Sequence, residues 1–213
     1  MDLLRLIFLV LVAKPLARFF TGADVIGRPN LPLRGPAIIA ANHNSHVDTL
    51  VLLTIFPAGG LKHVRPAAAA DYFLKGPVLS WFSRNIIGIV PIARDRVRGG
   101  EDVLAPAREA LAQGCIVIVF PEGTRGDATD EMGRLKNGVA RLAEAFPDAP
   151  VTPVWIEGAG RVLPKGGFIP VPMNCCVLVG EPIHWQGHRT AFMDSLREGL
   201  EALKAKAPPL RWS

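Results

Sequence analysis

The segment Asn42-His43-Asn44-Ser45-His46-Val47-Asp48 sets an imidazole and a carboxylate close together along the chain. That pairing suits general-base catalysis at a hydroxyl. Imidazole titrates near neutrality and so takes up a hydroxyl proton readily. A carboxylate on the other ring nitrogen fixes the tautomer and stabilises the imidazolium that forms, as in serine hydrolase triads. The same residues admit other uses. Ser45, followed three positions later by Asp48, resembles a capping box, which makes Asp48 a helix-start residue. His43, His46 and Asp48 also form the kind of cluster that holds zinc. Against that, His63, His184 and His188 show no ligand spacing, and no glutamate follows in an HExxH arrangement. A serine nucleophile has no GxSxG elbow to sit in. On these residues alone base, cap and ligand all stay open.

Three more places offer binding chemistry. Phe120-Pro121-Glu122-Gly123-Thr124-Arg125 comes at the end of the run that reads as the clearest buried strand of the chain, Cys115–Phe120. There Gly123 permits close backbone approach to a ligand, and Arg125 suits bidentate contact with a phosphate. An ordinary polar turn with a surface ion pair fits the same residues. Gly88-Ile89-Val90-Pro91-Ile92-Ala93-Arg94 delivers an arginine at the end of a strand-like run, and the Asp95, Arg96 and Arg98 beyond it read as a solvated loop. Lys136, just before Asn137-Gly138, is a further cation at a helix start, or else a plain surface lysine.

The elements that must position these groups alternate. Short apolar runs at 24–27, 37–41, 88–92, 115–120, 151–156 and 175–179 read as strands. Helical patterns cover 45–56, 77–84, 101–113 and 135–146, and the Phe192, Leu196, Leu200 and Leu203 stripe marks a last amphipathic helix. Strands alternating with helices predict an α/β fold: a single layered domain, residues 21–213, with a mostly parallel sheet flanked by helices.

Residues 1–20 predict a separate helix. The uncharged run Leu6–Ala13 is bracketed by Arg5, Lys14 and Arg18, far short of the roughly 20 apolar residues that cross a bilayer. No small-residue cleavage site follows it, so it does not read as a secretory signal. Leu6, Leu9, Leu11, Phe19 and Phe20 with Lys14 and Arg18 suit a helix lying on a membrane surface; packing on the domain's own core is the competing reading. Hydrophobic residues at 49%, charged ones at 20% and a net charge of +5 point the same way, toward a basic apolar chain that meets anionic lipid. A nucleic-acid partner finds no support, because no basic run is interleaved with aromatics. Cys115, Cys175 and Cys176 contain no CxxC pair and are expected to be reduced and buried.

Taken together, the blocks resemble the glycerophosphate/lysophosphatidate acyltransferase family. Asn42, His43 and Asp48 match its NHxxxxD block, Gly88 and Arg94 its GxxxxxR block, Phe120–Arg125 its FPEGTR block, and Val151-Thr152-Pro153-Val154 its Pro-containing strand. The match spans 37–156, with Val90-Pro91 departing from the aromatic or isoleucine residues common there. The resemblance implies transfer of a fatty acyl group from acyl-CoA or acyl carrier protein to a lysophospholipid hydroxyl, first of all that of 1-acylglycerol-3-phosphate. It implies His43 as base and Asp48 as its orienter. Arg94, Glu122, Gly123, Thr124 and Arg125, together with Lys136, become acceptor-binding residues. It implies no metal and no cofactor, the thioester being a substrate, and a membrane-associated protein at the cytoplasmic face of the cell membrane.

Overall fold

Ala37–Ala41 is buried along its whole length, as expected of a short apolar run inside a sheet covered on both faces. The computed structural model describes residues 3–45, 47–73, 76–93, 102–123, 132–163 and 170–209, the side chains of 72 and 73 excepted. Seven strands among them form one sheet: β1 (Asp24–Ile26), β2 (Ala37–Ala41), β3 (Val64–Ala69), β4 (Val90–Ile92), β5 (Ile116–Val119), β6 (Val151–Glu157) and β7 (Cys176–Val179). Their order is β1-β7-β6-β2-β5-β3-β4, which makes β2 the middle strand. Neighbours are parallel throughout except β6 and β7.

The helices are α1 (Leu3–Phe8), continued through a π-helical turn into α2 (Lys14–Thr21), then α3 (Val47–Ile55), α4 (Ala70–Phe73), α5 (Pro77–Phe82), α6 (Ala105–Ala112), α7 (Gly138–Ala145), α8 (Ala159–Val162) and α9 (Arg189–Lys206). They cover the sheet on both faces. Ile39, Ile116 and Ile118 face Val51, Leu52 and Ile55 of α3, with Leu9 and Ala13 of the N-terminal helix in the same core. Ile38, Ala40, Val117 and Val119 point the other way, onto α6, α7 and α9. The stripe of α9 is buried at Phe192, Leu196 and Leu200, as its spacing predicts.

One strand departs from the sequence expectation. β3 reads Val-Arg-Pro-Ala-Ala-Ala, with neither alternation nor a β-branched run to mark it. Its pairing supplies what its composition lacks: Val64–Pro66 bond to β5, and Ala67–Ala69 bond to β4. Pro66, which has no N–H to give, sits where the strand changes partners.

The N-terminal helix is clamped to the domain by a buried cation. The Arg5 guanidinium donates to the carbonyls of Leu61 (3.1 Å), Val64 (2.8 Å), Ile86 (3.2 Å) and Ile87 (3.0 Å). Burial, and then the charge of Arg65, hold its pKa down at about 10. Gly88, at φ +77°, makes the room: a Cβ there would lie 2.8 Å from Arg5 Cζ. Lys14 Nζ donates to Phe56 O (2.6 Å) and Arg28 Nη1 to Ile55 O (3.0 Å), so two cations satisfy the carboxyl end of α3.

This helix shows two apolar faces. Leu9, Ala13 and Ala17 are buried, whereas Leu3, Leu4, Ile7, Leu11, Val12, Leu16 and Phe19 are exposed, Leu3 and Phe19 each at 71%. Leu9 therefore belongs to the core and not to the outer stripe. Val78, Leu79 and Trp81 of α5 are exposed as well, and Phe82 meets Phe8 edge-to-face at 5.3 Å, joining the two surfaces. No helix among the described residues is long and apolar enough to cross a membrane.

Candidate active site

The carboxyl ends of parallel strands are where open α/β sheets bind ligands, and the candidate residues gather at that edge. β2 and β5 run in register, with Ala40 opposite Val119, so His43 and Phe120 leave the sheet side by side. Their rings stack at 4.2 Å with an interplanar angle of 24°. The neighbouring Asn42 is buried and locks β2 to β6. Its Nδ2 donates to Ile156 O (2.9 Å), and its Oδ1 accepts from Ile156 N–H (2.7 Å).

After His43 the chain turns into α3 through a loop organised by one oxygen. Asp48 Oδ2 lies 2.9 Å from His43 Nδ1 and accepts the amide protons of Asn44 (2.7 Å) and Ser45 (2.8 Å). Three donors on one oxygen, in a residue 1% exposed, call for an ionised acceptor, so Nδ1 carries the hydrogen and Nε2 is left as the acceptor. That is the tautomer a general base needs. The bond to Ser45 N–H is also the returning half of a capping box. The serine hydroxyl serves elsewhere, accepting from Val47 N–H (3.3 Å) and donating to Leu163 O (2.9 Å). Asp48 thus orients the histidine and caps the helix at once.

Glu122 is likewise buried, and both of its oxygens are engaged. Oε1 accepts from His43 N–H (3.1 Å) and Oε2 from Gly133 N–H (3.0 Å). The carboxylate therefore ties the β5 turn to the backbone of the base. Gly123 has φ +69°, and a Cβ on it would lie 2.6 Å from Lys136 Nζ, so the lysine chain lies across this glycine. Lys136 is held there by its own backbone, whose N–H donates to Pro121 O (2.8 Å). An exposed lysine side chain thus stands beside the β5 turn at Gly123.

Of the residues singled out from sequence, the structure brings together His43, Asp48, Glu122, Gly123 and Lys136. Arg94, Thr124 and Arg125, as well as His46, lie outside the described residues; the described chain halts at Ala93 just past β4 and at Gly123 just past β5. The ring contact of Phe120 with His43 was not legible beforehand. The signal that reveals it is the β2–β5 register, which no residue pattern carries. Cys115, Cys175 and Cys176 are buried and free. Burial, and then the nearby Asp48, push the Cys175 thiol up to about 12.

A central parallel strand that delivers a carboxylate-oriented imidazole to the carboxyl edge of the sheet defines an acid–base site. The chain belongs to the Acyltransferase family, whose model matches residues 22–157. It is 30% identical over 167 residues to the chloroplastic 1-acyl-sn-glycerol-3-phosphate acyltransferase LPAT1 of Arabidopsis thaliana, covering 78% of this chain and 44% of that protein. Over 182 residues it is 29% identical to the 1-acyl-sn-glycerol-3-phosphate acyltransferase of Pseudomonas aeruginosa, covering 84% of this chain and 66% of that one. The crystal structure of the 1-acyl-sn-glycerophosphate acyltransferase PlsC from Thermotoga maritima aligns with a TM-score of 0.73 at 26% identity, over 98% of this chain and 81% of that one. The chain spans less than half the length of the plant relatives it matches.

Proposed function

We propose that this chain transfers a fatty acyl group from an acyl-CoA or acyl carrier protein thioester to the free hydroxyl of 1-acylglycerol-3-phosphate, giving phosphatidate for phospholipid synthesis. The observation that carries this reading is the bond between His43 Nδ1 and Asp48 Oδ2, which leaves Nε2 as a proton acceptor at the mouth of the sheet. His43 Nε2 takes the proton of the acceptor hydroxyl as its oxygen attacks the thioester carbonyl. Asp48 holds the imidazolium in place. The tetrahedral intermediate collapses with cleavage of the C–S bond, and the same nitrogen returns the proton to the departing thiolate. No acyl-enzyme forms, and no metal or organic cofactor takes part.

The acceptor phosphate is met by cations. Lys136 stands beside Gly123, and the position of Arg94 and Arg125 in sequence, shortly after β4 and β5, together with guanidinium chemistry supports them as phosphate ligands. Thr124, from the same sequence block, joins them as an acceptor-binding residue. Glu122 acts through the backbone of His43 and through Gly133, so it positions the base while Gly123 keeps the turn narrow enough for Lys136 to cross. The exposed apolar residues of α1, α2 and α5 support work at a membrane lipid surface. The free cysteines support a reducing location at its cytoplasmic face.

A panel of lysolipid acceptors tests the acceptor assignment, each assayed with one acyl-CoA and one acyl carrier protein donor. Lysophosphatidate is expected to give the highest kcat/KM. A preference for lyso-ornithine lipid or lysophosphatidylglycerol would overturn the assignment while leaving acyl transfer intact.

A further inference from the structure

The turn between α3 and β3 forms one wall of a groove that this chemistry does not use. Leu33 and Arg34 line one side and Pro57, Lys62 and His63 the other, around an open volume of about 570 Å³. Its charge is of one sign. Arg34 and Lys62 are exposed, and among the described residues no acidic one lines the groove. Arg65 lies close by, with its guanidinium held by Lys62 O (3.1 Å) and Val64 O (3.0 Å). His63 is held below its ordinary pKa by burial and then by the field of Lys62, Arg65 and Arg34.

Position decides what such a groove is for. Asp48 is near the amino end of α3, and the groove is beyond its carboxyl end. Nine residues of helix set them about 13 Å apart along the axis, so the groove is separate from the acceptor site. It adjoins the N-terminal helix instead. Lys14 of α2 holds Phe56 O, and Arg5 of α1 holds Leu61 O; the residues between those two anchors, Pro57 to Gly60, belong to the groove turn. The helix that makes both anchors shows Leu11, Val12 and Leu16 outward, and Leu33 at the groove is 52% exposed.

A soluble anion accounts for the cations but not for the apolar stripe beside them. An anionic bilayer accounts for both, since apolar side chains enter the acyl boundary while adjacent cations meet headgroup phosphates. We propose that this groove is a second lipid site, holding the headgroup phosphate of an anionic bilayer phospholipid and docking the protein on the membrane alongside its N-terminal helix. The proposal rests on the membrane-surface reading given above.

The test is flotation of the full chain with vesicles of phosphatidylcholine alone and of phosphatidylcholine mixed with phosphatidylglycerol, comparing wild type with the double variant Arg34→Glu, Lys62→Glu. Both side chains are exposed, so the fold is expected to persist, as an unchanged Tm will show. Affinity for the mixed vesicles should fall more than roughly thirtyfold, the loss expected from removing the two charges alone, while binding to phosphatidylcholine changes little. The milder Arg34→Gln, Lys62→Gln pair should fall between. Wild-type affinity of the charge-reversed variant for mixed vesicles would overturn the proposal, and so would an equal loss on both vesicle types. Reduced turnover of detergent-dispersed lysophosphatidate in that variant would overturn it too, by assigning the groove to the acceptor. Absence of acyl transfer in the wild type counts against the proposed function alone, because flotation reads no chemistry.

Discussion

Asp48 Oδ2 accepts from His43 Nδ1 and from the amides of Asn44 and Ser45, so its two jobs separate only by substitution. Asp48→Asn keeps an oxygen for the amides but loses the charge that balances the imidazolium. It should lower kcat by roughly 10²–10⁴-fold with a modest change in stability. Asp48→Ala strands all three donors and should also cost about 2–4 kcal/mol in denaturant unfolding. Sequence spacing could not tell base-orienter from cap, because both uses demand the same separation from the loop. Geometry shows one oxygen meeting both demands. Glu122 was legible as a member of the turn, but its engagement with His43 N–H follows from the β2–β5 register. Cys175 gives a pH prediction. With the folded thiol pushed up to about 12, its unfolded counterpart ionises first, so the unfolded state binds fewer protons above its ordinary value near 9. Stability from this group is complete below that pH and is lost as pH rises toward the folded value, by about 1.4 kcal/mol per pH unit. Urea unfolding across that window checks this, and Cys175→Ala should flatten the slope.

At the scale of elements, Asn42 ties the end of β2 to β6 through two hydrogen bonds outside the ladder. Asn42→Ala leaves the backbone N–H and C=O of Ile156 without their side-chain partners. A loss of about 1–3 kcal/mol is expected, read as a Tm lower by roughly 2–10 °C for a domain of this size. Activity should fall as well, since β2 delivers His43. The apolar runs of β2, β5 and β6 were legible because strands buried on both faces read as nearly continuous apolar sequence. β3 was not, because its strand character comes from β5 and β4 on either side and not from its own Arg, Pro and Ala residues. Helix starts shifted for a local reason too: Lys136 and Asn137 belong to the turn that closes onto Pro121, so α7 begins at Gly138 and not at Leu135.

For the whole molecule, the N-terminal helix packs on the sheet that presents His43 and leaves a second, apolar face exposed. Composition revealed an apolar helix with cations but could not choose between core and membrane; the structure buries one face on the core and leaves an apolar face exposed. Arg5 was the residue with no assigned place, and its burial is what joins helix to domain. Arg5→Ala removes the donor from the carbonyls of Leu61, Val64, Ile86 and Ile87, and should cost about 3 kcal/mol or more. The outer face answers to a different variant. Leu11→Ser with Phe19→Ser should weaken binding to neutral and anionic vesicles alike, since both residues are exposed and apolar.

In the proposed reaction His43 takes the proton of a lysolipid hydroxyl. Release of free thiol from an acyl thioester, followed with and without added lysophosphatidate, measures that step for wild type and for His43→Ala. Thiol release is expected to depend on the lysolipid and to fall by roughly 10²–10⁴-fold in the variant, with the variant's Tm close to wild type. Lysolipid-dependent release at the wild-type rate in His43→Ala would contradict it.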